Sequence, residues 1–419
     1  MIFTMAVFIM LLLGSCATYE RMEQIDHEHE SPGSVFSQAG FPLVPSGYPT
    51  YYYDGTTWTH RALELIRSAQ NYILIDTFLI GEFIQTERII RELAAAHQRG
   101  VMVRILMDSA SYFRSDRHTG NEVYVPVQEM KDMGIEVVEY NPIRAWRIYS
   151  HLFLLDRDHR KFWVIDGEQV VVGGMNIDPD SLADPTDRGS LDGMTEVYSP
   201  GAAEVLVETF VNTWNAFSLD LLSNMDFPPA VPDETKFETE VWVIDQNRKS
   251  GSTVTTMFDA FVTQAQQELW FMQGYMIITK PLLERIRYAA DRGVDVHVIL
   301  SDNHVGGRFV QATFYGILDL IEAGARVYVY NSPTGSLLHK KMILADNRLV
   351  SVGSANYNFR SQYLAREISL VFDDPVASER VMPFLKEVME HSREIDIEEA
   401  RSYRGLGYLL PFLMMQLGG

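Results

Sequence analysis

Two stretches of the chain carry the same side chains at the same spacing. The first reads His159-Arg160-Lys161, then Asp166, Gly173-Gly174 and Asn176; the second reads His339-Lys340-Lys341, then Asp346, Gly353-Ser354 and Asn356. In extended chain alternate residues share a face, so each His–Lys pair projects to one place while Arg160 and Lys340 point away. Two imidazoles and two ammonium groups brought together suit a phosphodiester. One imidazole attacks phosphorus, the other protonates the departing oxygen, and the cations neutralise the remaining oxygens. Asn176 and Asn356 supply amide hydrogen bonds to the same phosphate, with Gly174 and Ser354 beside them as further phosphate-binding candidates. This chemistry needs no metal and no cofactor, and the single cysteine, Cys16, excludes a cysteine-based metal cage. Asp166 and Asp346 fall in the turn that ends each histidine strand and, with Gly173 and Gly353, read as structural. A lone His-x-Lys is ordinarily a solvated strand edge; two copies with identical internal spacing point to a site.

The elements that must position these residues are also written twice. A helix near residues 61–69 leads into the strand-like Tyr72-Ile73-Leu74-Ile75-Asp76, matched by residues 260–267 and Leu269-Trp270-Phe271-Met272-Gln273. Gly100 and Gly293 each open a further strand after a helix, and so do Gly134 and Gly324. Helices alternate with strands in both halves, which predicts an α/β fold of two similar tandem sandwich domains with the site at their interface. Three prolines in Phe227-Pro228-Pro229-Ala230-Val231-Pro232 forbid a continuing element, so the domains are placed at 45–227 and 228–400.

The duplicated pattern, H-x-K-x4-D-x6-G-[GS]-x-N, resembles the signature of the phospholipase D superfamily across about residues 45–400. Within it, Asn141-Pro142, Val172-Gly173-Gly174-Met175-Asn176-Ile177 and Arg360-Ser361 resemble bacterial cardiolipin synthases. The resemblance implies a phosphohistidine intermediate, with His159 as nucleophile and His339 as acid. It also implies one carboxylate after each motif, Asp192 and Glu367, to orient the histidines; which acid serves which histidine stays open, and Asp184 and Asp187 share the loop of Asp192. The expected activity is phosphatidyl transfer forming cardiolipin at a membrane, with hydrolysis to phosphatidic acid as the alternative. A nuclease, or a lipoprotein that binds anionic lipid without catalysis, is the alternative of another class. Tyr357-Asn358-Phe359 stands where Leu-Asp-Pro is usual, which leaves the acceptor open.

A 47% hydrophobic, 22% charged chain of 419 residues folds, and its net charge of -21 argues against nucleic acid as partner. The expected partners are a phospholipid and a membrane surface; the pattern carries no information on oligomeric state. Residues 2–13 are nearly all apolar, too few to span a bilayer, and end in Leu13-Gly14-Ser15-Cys16. That resembles a bacterial lipoprotein signal with Cys16 acylated, hence a signal or anchor at 1–16, a polar tether at 17–44 and a place in the bacterial cell envelope. Ala17 after the cysteine resembles lipoproteins sent to an outer membrane. Arginines and aromatics interleave at 143–149, a segment suited to a bilayer interface or to packing over the site. The apolar tail, 401–419, is read as membrane-dipping or as a strip packed on the body.

Overall fold

The computed structural model describes residues 31–114, 121–142, 156–247, 252–274, 276–302 and 307–415. Cys16, residues 17–30 of the tether and the insertion at 143–149 lie outside them.

In chain order the strands are β1 (Leu43–Ser46), β2 (Thr50–Tyr52), β3 (Tyr72–Thr77), β4 (Met102–Asp108), β5 (Glu136–Tyr140), β6 (Phe162–Ile165), β7 (Gln169–Gly173) and β8 (Met194–Tyr198) in the first part. The second part adds β9 (Thr239–Gln246), β10 (Glu268–Gln273), β11 (Asp295–Ser301), β12 (Ala325–Tyr330), β13 (Lys341–Ala345), β14 (Leu349–Gly353), β15 (Glu367–Asp373) and β16 (Ser392–Glu394). They form two sheets, ordered β2-β8-β7-β6-β3-β4-β5 and β1-β9-β15-β14-β13-β10-β11-β12-β16. The run β8-β7-β6-β3-β4-β5 has the same order and sense as β15-β14-β13-β10-β11-β12, parallel in its last three strands and antiparallel elsewhere.

Strand periodicity explains the layering. Along β3 and β6, Tyr72, Leu74, Phe162 and Val164 face a core shared with Met272, Met342 and Leu344 of the other sheet. Ile73, Ile75, Trp163 and Ile165 face the opposite way, onto the helices Gly55–Ser68 and Ile84–Gln98. In the second sheet Phe271 and Ile343 turn outward to the helices Thr253–Gln264 and Lys280–Asp291. The central core also takes in the helix Pro200–Phe217, which packs between the sheets through Leu206, Phe210 and Trp214. With both faces covered, the strands are apolar runs rather than alternating ones.

The matched glycines explain the turns. Gly100, Gly293, Gly134 and Gly324 all have φ between 85° and 101°, a left-handed conformation that lets each helix stop and the next strand begin. Two sequence readings are corrected. Residues 31–44 are not a tether: the helix Pro32–Gln38 buries Val35 and Phe36 in the second core, Phe36 lying 5.5 Å from Trp242, and β1 pairs antiparallel with β9. A seven-residue helix is too short to display a helical period. The internal repeat is also one residue off, because Asp166 accepts from the amides of Gln70, Asn71 and Tyr72 while Asp346 accepts from Gln266, Gln267 and Glu268. Tyr72 therefore corresponds to Glu268, and Phe78 to Gly274.

Candidate active site

Just before β6 and β13 the chain leaves each sheet and pairs with the opposite half. Asp158 and Arg366 form a parallel bridge, in which the His159 amide donates to Arg366 O at 3.0 Å and the Arg366 amide to Arg157 O at 2.9 Å. Leu191 and Leu338 form the second, in which the His339 amide donates to Leu191 O at 2.7 Å and the Leu191 amide to Leu337 O at 2.9 Å. In a parallel pair, the residue after one bridged position lies beside the residue after the other. Backbone register alone thus sets His159 against Glu367 and His339 against Asp192.

The side chains complete these pairs. His159 Nδ1 is 3.0 Å from both carboxylate oxygens of Glu367, and His339 Nδ1 is 2.6 Å from Asp192 Oδ2. Each acid follows its own half's motif and serves the other half's histidine, so neither half holds a complete pair. Asp184 is bonded to Thr56 and Thr186 instead, and Asp187 closes a short turn; neither is brought to a histidine. Lys161 Nζ donates to His159 O at 2.6 Å, and Lys341 Nζ lies 2.8 Å from His339 Nδ1 and 3.5 Å from Asp192.

Burial and crowded cations set the protonation states. Burial, then Lys161 and Arg360, hold His159 well below the usual imidazole range. His339 is lowered to about 4 by burial and by Lys341. Burial also brings Lys161 down to about 7 and Lys341 to about 8. The acids diverge. Burial pushes Glu367 up to about 7, whereas at Asp192 the charges of Lys341 and His339 outweigh burial and hold the carboxyl well below the usual range. An anionic phosphodiester opposes the depressions of all four basic groups, because its charge favours their protonated forms.

Gly174 and Ser354, expected to bind phosphate, have another place. Ser354 Oγ donates to Glu367 Oε2 at 2.5 Å and accepts from the Ile368 amide at 3.0 Å, so its hydroxyl is committed to the acid. The Gly174 amide donates to Gly193 O, and a side chain at this position would run into the Asp192 carboxylate. Gly173 and Gly353 likewise press on the backbone of the neighbouring strands at Gly193 and Ile368. Asn176 and Asn356 are buried, and the amide oxygen of each has no hydrogen-bond partner among the described residues, leaving these side chains with bonding capacity to offer a ligand. Among the described residues, no group of three His, Cys, Asp or Glu side chains could hold a metal ion.

Several contacts escaped the sequence reading. Arg160 turns away from the site into a buried network, donating to Asp158 at 2.6 and 2.9 Å, to Asp245 at 3.1 Å and to Thr213 at 2.8 Å, with Asp76 3.2 Å away. Arg366 joins it through Thr213 and Tyr140. This network ties the two halves together behind the His159–Glu367 pair. Removing Arg160 alone would strand buried carboxylates, at a cost of about 3–5 kcal/mol. Phe78, directly after β3, lies edge-on to His159 with ring centroids 4.9 Å apart. The one signal for it was its place at the carboxyl end of a parallel strand.

The PLD-like domain described for cardiolipin synthases matches residues 62–214 and 258–389. The chain is 25% identical over 345 residues to the cardiolipin synthase of Alkalihalophilus pseudofirmus, covering 82% of this chain and 66% of that protein. With cardiolipin synthase A of Pseudomonas entomophila it shares 26% over 362 residues, covering 85% and 71%. The chain thus spans about two thirds of the length of these relatives. The crystal structure of phosphatidylserine synthase from Haemophilus influenzae Rd KW20 superposes on 92% of this chain and 99% of its own with a TM-score of 0.72 at 14% identity, which shows a common fold.

Proposed function

Because the chain belongs to the family of the cardiolipin synthase PLD-like domain, we propose that it transfers a phosphatidyl group from a phospholipid to an alcohol through a phosphohistidine, with phosphatidylglycerol as both donor and acceptor. The observation that carries this reading is the reciprocal pair of His–carboxylate contacts, each built from both halves and accompanied by a lysine. With Nδ1 of each imidazole turned to a carboxylate, Nε2 does the chemistry. His159 Nε2 attacks phosphorus, the P–O bond to the leaving glycerol breaks, and His339 gives that oxygen its proton. The acceptor hydroxyl then passes its proton back to His339 as its oxygen displaces the histidine, so the proton and both P–O bonds balance. Burial and Lys341 bring His339 down to about 4, and the ionised Asp192 opposes that depression. The bound phosphodiester's charge adds to the pull of Asp192 toward the proton-carrying form an acid requires. Burial and the charges of Lys161 and Arg360 leave His159 unprotonated and able to attack.

Contact with lipid is supported by the tail. The helix Leu406–Met415 packs on the helix Gly307–Tyr315 through Tyr408 and Phe412, which approach Phe314 and Tyr315, and leaves Leu406, Leu410, Leu413 and Met414 exposed. It is both a packed strip and an apolar surface. Gly307–Tyr315 follows β11, whose last residue, Ser301, accepts from the Leu338 amide next to His339. No described helix is long and apolar enough to cross a membrane. Anchoring through an acylated Cys16 in a bacterial envelope is part of this proposal, rests on the sequence alone, and is tested by mass spectrometry of the mature amino terminus.

The test of function is to incubate the protein with phosphatidylglycerol vesicles in EDTA and resolve the lipids. Cardiolipin plus glycerol is expected. Phosphatidic acid alone would make water the acceptor, and no lipid product would overturn the transfer.

A further inference from the structure

The Phe78 ring collects three groups of the site. His159 meets it edge-on at 4.9 Å, Lys161 Nζ lies 4.9 Å from its centroid, and Arg360 Cζ lies 5.4 Å from it. Arg360 comes from the other half, in the first turn of the helix Phe359–Tyr363, whose N-terminus is capped by Asn358. That turn follows Asn356 immediately, so the motif's own amide and Arg360 are delivered by one tight segment. Its charge is felt at His159, Lys161 and Glu367 alike. The matched positions around His339 are of opposite character. Asp180 stands where Arg360 does and is held with Asp178 by Arg114, and Gly274 stands where Phe78 does, its Cα against the backbone of Leu338.

We propose that Arg360 is a phosphate-binding residue of the site, its guanidinium gripping a non-bridging oxygen of the donor phosphodiester on the His159 side. The proposal rests on the transfer reading above and adds a third cation, present on one side only. Burial brings Lys161 to about 7, so near neutral pH it is charged only part of the time. A guanidinium does not lose its proton, and its planar fork matches two phosphate oxygens. An aromatic face beneath it orients the cation. Arg360 therefore supplies constant positive charge where Lys161 does not.

The test compares wild type with Arg360→Gln and Arg360→Lys in three measurements: inorganic phosphate affinity by calorimetry, turnover of phosphatidylglycerol vesicles, and thermal melting. Arg360→Gln is expected to lose roughly 10–100-fold in kcat/KM and about tenfold in phosphate affinity at unchanged melting temperature, with Arg360→Lys recovering part of both. Phosphate affinity and kcat/KM equal to wild type in Arg360→Gln would overturn the assignment. So would a loss of activity that comes with a lowered melting temperature and unchanged phosphate affinity, the mark of a structural role. A wild type that turns over no lipid yet binds phosphate in an Arg360-dependent way would refute the transfer reading and leave this residue's role standing. Wild type with neither property refutes both.

Discussion

His159 and His339 occupy one backbone frame and two different electrostatic surroundings. Both stand one residue after a parallel bridge to the opposite half, and both meet an acid one residue after the partner strand's bridged position. Around His159 lie Phe78, Arg360 and a glutamate bonded to Ser354; around His339 the matched positions hold Gly274, Asp180 and an aspartate against Gly174. The frame fixes where the imidazoles are; burial depresses both, Arg360 adds to the depression at His159, and Asp192 opposes it at His339. A duplicated fold can thus set two copies of one side chain in unlike surroundings.

The sharpest way to break this comparison is to remove each histidine. His159→Ala and His339→Ala should each lower turnover by at least about a thousandfold while circular dichroism stays unchanged. The roles separate when a phosphodiester with an acidic leaving group is used: His339→Ala should still accumulate labelled phosphoprotein, and His159→Ala should not. The reverse pattern would exchange nucleophile and acid.

Exchanging the acids is expected to cost less, about a hundredfold for Glu367→Gln and for Asp192→Asn. Their effects on stability should have opposite pH dependence. Glu367 is raised from 4.5 to about 7 by folding, so its stabilising contribution is complete below 4.5 and is lost as the pH rises toward 7. Asp192 is lowered from 3.8, so its contribution is present above 3.8 and is lost as the pH falls below that. Urea titrations should show the wild-type-minus-variant difference falling with pH for Glu367→Gln and rising with pH for Asp192→Asn. Parallel slopes would contradict the assigned asymmetry.

Where the halves are alike, effects should match. Asp166→Ala and Asp346→Ala each remove an acceptor from three successive backbone amides and should cost about 1–3 kcal/mol, equal within about 1 kcal/mol. The smallest change expected is that of Ser354→Ala, about 1 kcal/mol, accompanied by a rise of the Glu367 pKa above 7 that carbon NMR of the labelled carboxyl would detect.

Much of this was legible in the sequence because it is local. His159 and Lys161 share a strand entrance, Asp166 and Asp346 sit in the turns the spacing requires, and the four turn glycines adopt left-handed geometry where helices end. What depends on the meeting of the halves was not. Nothing near Asp192 says that it serves His339, since 147 residues and an interdomain register separate them. Phe78 is one phenylalanine among 22, marked only by its place after β3. Gly174 and Ser354 fitted a phosphate-binding turn as well as they fit support for an acid, because spacing gives residue type and not direction.

The four residues of β1 have one more consequence. β1 and the three-residue β16 are the outermost strands of the nine-stranded sheet, and β1 covers β9, an eight-residue strand carrying Val241, Trp242, Val243 and Ile244. A long apolar strand with unpaired amides invites pairing with another molecule, whereas a four-residue edge containing Pro45 does not. A chain trimmed to residue 47, inside the portion that the family model leaves unmatched, would keep every catalytic side chain and bare that edge. Such a truncation should fail by aggregation during expression rather than by loss of chemistry, so any shortened form for crystallisation or assay has to begin before the helix Pro32–Gln38.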